Sequence, residues 1–142
     1  MSFPDLTAAE RALVEKLHDG FPSLKVNSMP GNLEKWIKTK MKSTRGVALV
    51  QFVAFQRRTI GEAAEGWVLT YEVTILNKQL TASGHQGVHG YLEQSISALH
   101  GDCTEISSVD YTFQVDKGGF TGIIDQLWEY AFTVQMVPSL TI

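Results

Sequence analysis

Four side chains able to bind a metal or attack an electrophile lie close together in the chain: His85, His89, His100 and Cys103. His85 and His89 are four residues apart, a spacing that places two side chains on one helix face. Zinc needs three or four such ligands converging at once. Here one pair spans an expected helix start and the other an expected helix end, so no metal site is expected. Cys103 follows His100 by three residues, but that pair would share one local turn with no third group to orient the base. Cys103 is therefore expected to be a buried or half-buried structural cysteine. Gly118, Gly119 and Gly122 match a phosphate loop only loosely, because the lysine and Ser/Thr of a P-loop are missing. Glu62, Glu65, Glu72 and Glu129 fall at loop or exposed strand positions, and no two are forced together for acid–base work. The expectation is a protein that is not an enzyme and takes no cofactor.

The elements that would carry these residues follow from hydrophobic spacing. Thr7 and Glu10 have capping-box spacing at the head of a helix over about 7–18, whose stripe is Leu6, Leu13, Val14, Leu17 and Phe21. Gly20 and Pro22 end it. Residues 23–27 read as a short extended piece, and Asn32 can cap a short helical segment carrying Leu33, Trp36 and Ile37. Residues 39–45 read as a basic loop. Residues 47–55 are apolar on both faces, which predicts a strand covered on both sides. After a hairpin loop over 57–66, Trp67, Leu69, Tyr71, Val73 and Ile75 alternate with polar residues as a second strand. Val88, Tyr91, Leu92, Ile96 and Leu99 predict a helix over 86–100, with Gly101 in position for a left-handed C-terminal cap. A third strand is expected over 106–115 and a turn-rich loop over 116–122. In the fourth strand Trp128, Tyr130, Phe132, Val134 and Met136 face one way, while Glu129, Thr133 and Gln135 face the other.

The predicted fold is a single α+β domain over residues 1–142. It has two layers in the order helix–strand–strand–helix–strand–strand, with two antiparallel hairpins in a four-stranded sheet and two helices on the face bearing Tyr71, Val73, Tyr111, Phe113, Tyr130 and Phe132. Trp67 and Trp128 are expected in the core, and Trp36 in a packed short helix. A chain of 142 residues that is 44% hydrophobic can bury a core without staples. One cysteine allows no intrachain disulfide and fits a reducing compartment. The first eleven residues lack the apolar core of a signal peptide, and no apolar run approaches a membrane span. The expectation is a soluble protein with no membrane partner.

Charge is segregated along the chain. Residues 1–34 carry a net −2 and residues 59–142 a net −8. Between them, Lys35, Lys38, Lys40, Lys42, Arg45, Arg57 and Arg58 stand with no acid, giving +7. A subunit with a positive and a negative side suits head-to-tail contact with its own copies. A solvated face and contact with nucleic-acid phosphates are the other readings, and a pI of about 5.8 argues against a dedicated DNA binder.

Three stretches together resemble a known family: residues 71–78 (YEVTILNK), the helix segment Gly90-Tyr91-Leu92-Glu93 with Leu99-His100-Gly101, and residues 128–132 (WEYAF). The chain over about 46–136 is similar to the tail terminator (tail completion) proteins of Mu-like contractile-tailed phages. Residues 22–45 have no match in that resemblance. It implies a non-enzymatic virion protein forming a hexameric ring at the head-proximal end of the tail. That ring would cap the tail tube and last sheath ring and meet the head–neck connector after assembly in the host cytoplasm. Under this reading Lys35, Lys38, Lys40, Lys42 and Arg45 face either the next subunit or a channel through which DNA passes. Arg57, Arg58, Glu62, Glu65, Asp116, Lys117 and Phe120 sit on hairpin tips that touch tube or neck. The alternatives are another phage neck or baseplate protein, or a small ligand-binding α+β domain with a pocket between the second long helix and the sheet.

Overall fold

In the computed structural model, the described residues are 3–20, 22, 25–40, 46–59, 65–79 and 87–139. Three helices and six strands follow in the order α1 (Leu6–Gly20), β1 (Lys25–Ser28), α2 (Leu33–Lys40), β2 (Gly46–Thr59), β3 (Glu65–Asn77), α3 (Val88–Leu99), β4 (Cys103–Ile106), β5 (Val109–Ile124) and β6 (Leu127–Pro138). The strands form one sheet ordered β1-β2-β3-β6-β5-β4. β1 runs parallel to β2, and every other neighbour is antiparallel.

This corrects the expected four-stranded antiparallel sheet with two helices: the sheet is six-stranded, mixed and curled, and a third helix is present. Two short elements account for the difference. β1, KVNS, falls in the short extended piece expected over 23–27, but its four residues gave no sign of pairing in the sheet. The expected third strand is interrupted by a tight turn at Ser107–Ser108, whose φ angles of 52° and 67° are left-handed at both positions. That is the geometry of a two-residue hairpin turn, which usually announces itself through Asn-Gly or Asp-Gly. A Ser-Ser pair conceals it. The β5–β6 hairpin turns in the same way at Asp125–Gln126, with φ of 48° and 67°.

The helices sit where their stripes dictate. Ala9, Leu13 and Leu17 of α1 and Val88, Tyr91 and Leu99 of α3 are buried against Leu69, Tyr71, Val73, Ile75, Phe113, Phe132, Val134 and Met136. This front face carries five of the six residues expected on it as buried core, with Tyr130 partly buried beside them. Asp5 begins α1: its Oδ1 accepts from the amides of Thr7 (3.0 Å) and Ala8 (3.1 Å). The expected Thr7–Glu10 box is not used, and Glu10 instead accepts from the Ser28 hydroxyl at 2.9 Å. Asn32 caps α2 as expected, with its Oδ1 accepting from the Lys35 amide.

α2 makes the crossover between the parallel strands β1 and β2 and covers the opposite, back face. There Ile37 packs with Val47, Leu49, Leu76 and Leu127, flanked by Trp36 and Leu33. β2 is thus buried on both faces from Gly46 to Val50, but from Gln51 to Thr59 it runs on beyond both cores with Phe52 alone half-buried. The expectation of a strand covered on both sides holds only for its first five residues.

Candidate functional site

The expected nucleophiles and ligands lie apart. His89 is exposed on α3, its ring edge against Tyr130. His100 follows α3 and accepts from the Val115 amide through Nδ1 at 3.0 Å, which ties the helix end to β5. His85 lies outside the described residues. Cys103 is exposed rather than buried, with Sγ 3.7 Å from the Thr112 hydroxyl. It stands at the first position of an edge strand, on the same exposed side as Glu105. No group of three or more His, Cys, Asp or Glu side chains converges among the described residues. Nearby, Lys16 of α1 pairs with Asp102 at 2.9 Å. That hydrogen bond, helped by the Cys103 amide, holds the Asp102 carboxyl below its ordinary range.

The expected contact loops are largely strand. Arg57 and Arg58 belong to β2, and Glu65 is the first residue of β3. Glu62 lies outside the described residues. Asp116, Lys117 and Phe120 belong to β5, which continues through the glycines as a bulged strand. Its register with β6 shifts between Val115 and Gly118 and again between Phe120 and Gly122. Gly118 is required by close approach, since a Cβ there would meet the Ala131 carbonyl oxygen at 2.5 Å. Gly118 thus serves strand pairing, and Gly119 and Gly122 lie in the same strand with open space beside them rather than in a turn.

Of the basic set, Lys35 and Lys38 are exposed on α2, where with Asn32, Glu34 and Thr39 they rim an open depression. Lys40 is the last residue of α2, and Lys42 and Arg45 lie outside the described residues. Trp36 packs on the back-face cluster. The expected core positions of Trp67 and Trp128 are corrected: both are only half-buried and sit at margins, Trp67 against Phe3 and Phe55 and Trp128 against Phe120. Between α3 and the sheet, Val88, Tyr91 and Leu99 pack into the front core. A second shallow depression lies on the back face instead, between Glu72, Lys117, Thr121 and Thr133.

Sequence reading named Arg57, Arg58, Asp116, Lys117 and Phe120 as contact residues but missed the exposed apolar side chains beside them. The large apolar side chains exposed among the described residues are Phe3, Val53, Phe55, Phe120 and Ile123. They gather at two places. Phe55 stacks near Phe52, and Phe3 sets its edge against Phe55 and Trp67. At the other end of the sheet Phe120 leans on Trp128 and Tyr130, and Ile123 pairs in register with Trp128. The first patch lies at the level of Leu69 on β3 and the second at the level of Asn77, about 26 Å apart along the strands. Beside the first stand Arg57 and Arg58; along the second run Asp116, Lys117 and Asp125, while Glu129 points to the opposite face and bonds Thr121. The signal was present in the run VAFQRR, which keeps its aromatic residues past the point where the core ends. No helix among the described residues is long and apolar enough to cross a membrane. No known protein-family model matches the chain, and no curated protein is significantly similar to it.

Proposed function

We propose that this chain is a structural subunit that works by self-association, in the specific form of a tail terminator. In that role a ring, hexameric by the resemblance, closes the tail tube and the last sheath ring of a contractile phage tail and presents a face to the head–neck connector. The observation that carries the reading is the pair of unlike patches on one subunit. One is aromatic and basic, around Phe55, Arg57 and Arg58. The other is aromatic with acids along it, around Phe120, Asp116 and Asp125. Two different, complementary patches make a heterologous contact, and such contacts repeat head to tail and close into a ring when the rotation per copy allows it. The stretches that carry the family resemblance fall on β3, α3 and β6, the elements around which the front core is built. The exposed lysines of α2 face the neighbouring subunit or the DNA channel, and the ring belongs to the virion.

Light scattering coupled to size exclusion tests the reading. The chain is 15.7 kDa, so a six-fold ring elutes at about 94 kDa. Replacing Lys38, Lys40 and Lys42 by Glu is expected to abolish that species if α2 meets the next subunit, and to leave it intact if α2 lines the channel. A chain that is monomeric at every concentration, and that also fails to bind isolated contractile-tail tubes, would refute the terminator role.

A further inference from the structure

We propose that copies of this chain join strand edge to strand edge, residues 51–59 of β2 in one copy pairing antiparallel with residues 116–124 of β5 in the next. The inference deepens the reading of a self-associating subunit and rests on it.

Neither stretch has a partner strand on its outer side among the described residues. β1 covers the outer side of β2 only from Val47 to Val50, with the Met29 amide closing on the Val50 carbonyl. Beyond that, no described segment pairs with β2 on its outer side. β4 covers β5 only from Val109 to Thr112. Residues 100–102 then satisfy Phe113 and Val115, and from Asp116 onward no described segment pairs with the outer side of β5. Unpaired edges are ordinarily kept short or blunted with charge and proline, because they template association. These two are bulged and carry Arg57, Arg58, Asp116 and Lys117, but they are long and proline-free and hold four of the five large apolar side chains exposed among the described residues: Val53, Phe55, Phe120 and Ile123.

The two edges also fit each other. They lie on opposite sides of the sheet, and the chain of antiparallel neighbours β2–β3–β6–β5 makes β5 run opposite to β2. A second copy in the same orientation therefore brings β2 against β5 in the antiparallel sense that a regular ladder needs. Phe55, in register with the core residue Leu69, and Phe120, against Tyr130, both lie on the front face, so the continued sheet keeps its aromatic side aligned. Laid antiparallel over their full lengths, the stretches put Phe55 opposite Phe120, and Thr59 opposite Asp116 with Arg58 beside it. Main-chain bonds would supply affinity, and the aromatic and charged pairs would set the register. Each added copy leaves one unlike edge at either end, and only ring closure removes both.

Cross-linking between two differently marked chains tests this. In a Cys103→Ser background, Phe55→Cys is placed in one full-length chain and Phe120→Cys in another, and a short bismaleimide is added to each alone and to the mixture. A covalent dimer only in the mixture is expected. No dimer in the mixture, or equal dimer in either chain alone, overturns the pairing. Circular dichroism confirms that each variant folds; if one does not, hydrogen exchange of the wild-type chain at low and high concentration decides. Protection gained together over 51–59 and 116–124 supports the pairing. Oligomers with no gain at these edges overturn it while leaving the ring reading standing. Protection gained only on adding tail tubes assigns the edges to the tube and overturns pairing between copies. Cross-linked dimers with no ring mass keep the edge pairing and refute the ring.

Discussion

Tyr71 is fully buried in the front core, yet its hydroxyl reaches the start of α1 and donates to the Leu6 carbonyl at 3.2 Å. Burial first, and Glu10 second, push its phenol well above the ordinary value of 10.0. The unfolded chain loses this proton near the ordinary value while the folded chain keeps it. The stability tied to Tyr71 is therefore complete below about pH 10 and is lost as pH rises beyond it. Tyr71→Phe removes one hydrogen bond, costing about 1 kcal/mol near neutral pH, and also removes Tyr71's share of the alkaline loss. Urea midpoints of the two proteins should converge between about pH 8 and about pH 11. A gap that stays constant across that range would show that the phenol does not titrate differently in the two states. Tyr111, also raised by burial, is present in both proteins and cancels. The Lys16–Asp102 pair is of another kind: both partners are substantially exposed, so it contributes less than about 1 kcal/mol.

At the scale of elements, ends and turns rest on residues that a pattern reading passes over. Asp5, two residues ahead of the expected capping threonine, satisfies two free amides of α1. Asp5→Ala should cost about 1 kcal/mol, and Thr7→Ala should stay within about 0.5 kcal/mol, measured by chemical denaturation. Equal losses would restore the Thr7–Glu10 box. The Ser107–Ser108 turn holds two non-glycine residues in left-handed backbone, a conformation costing roughly 1 kcal/mol or more per residue. Ser107→Asn with Ser108→Gly should therefore raise the melting temperature, by an increment worth roughly 1 kcal/mol, without moving β4 or β5.

Across the whole molecule, one sheet is clothed unequally. The front core takes two long helices and most of the large side chains, whereas the back cluster holds one eight-residue helix over five buried residues. Stability should follow that division. Leu13→Ala, at the centre of the front core, should cost about 2–5 kcal/mol of global stability. Ile37→Ala should act mainly on α2, whose amides should exchange with solvent well before those of α1 and α3. A global loss from Ile37→Ala equal to that from Leu13→Ala would mean that the back cluster is no separate unit. Beyond both cores the long hairpins carry apolar groups that stay largely exposed, and these are the surfaces assigned to neighbouring copies.

Helix stripes and strand alternation are local properties, repeating every few residues, and for that reason α1, α3, β3 and β6 were legible along the chain, as were their buried faces. Tyr71, Val73, Phe113 and Phe132 meet in the core because alternation alone fixes which way each points. The pairing of β1 into the sheet, the Ser-Ser turn and the bulged continuation of β5 through its glycines had too few residues, or the wrong residues, to register in a periodic signal. They exist because a strand already in place offers them hydrogen bonds: β2 recruits β1, β4 folds back on β5, and β6 holds Gly118 and Gly119 in the sheet. The same holds for the candidate site. Sequence located the basic and acidic segments, since charge is counted residue by residue. Only the tertiary structure decided that the aromatic residues beside them stand outside the core on two edges left unpaired by the described residues, because exposure depends on what packs from elsewhere in the chain.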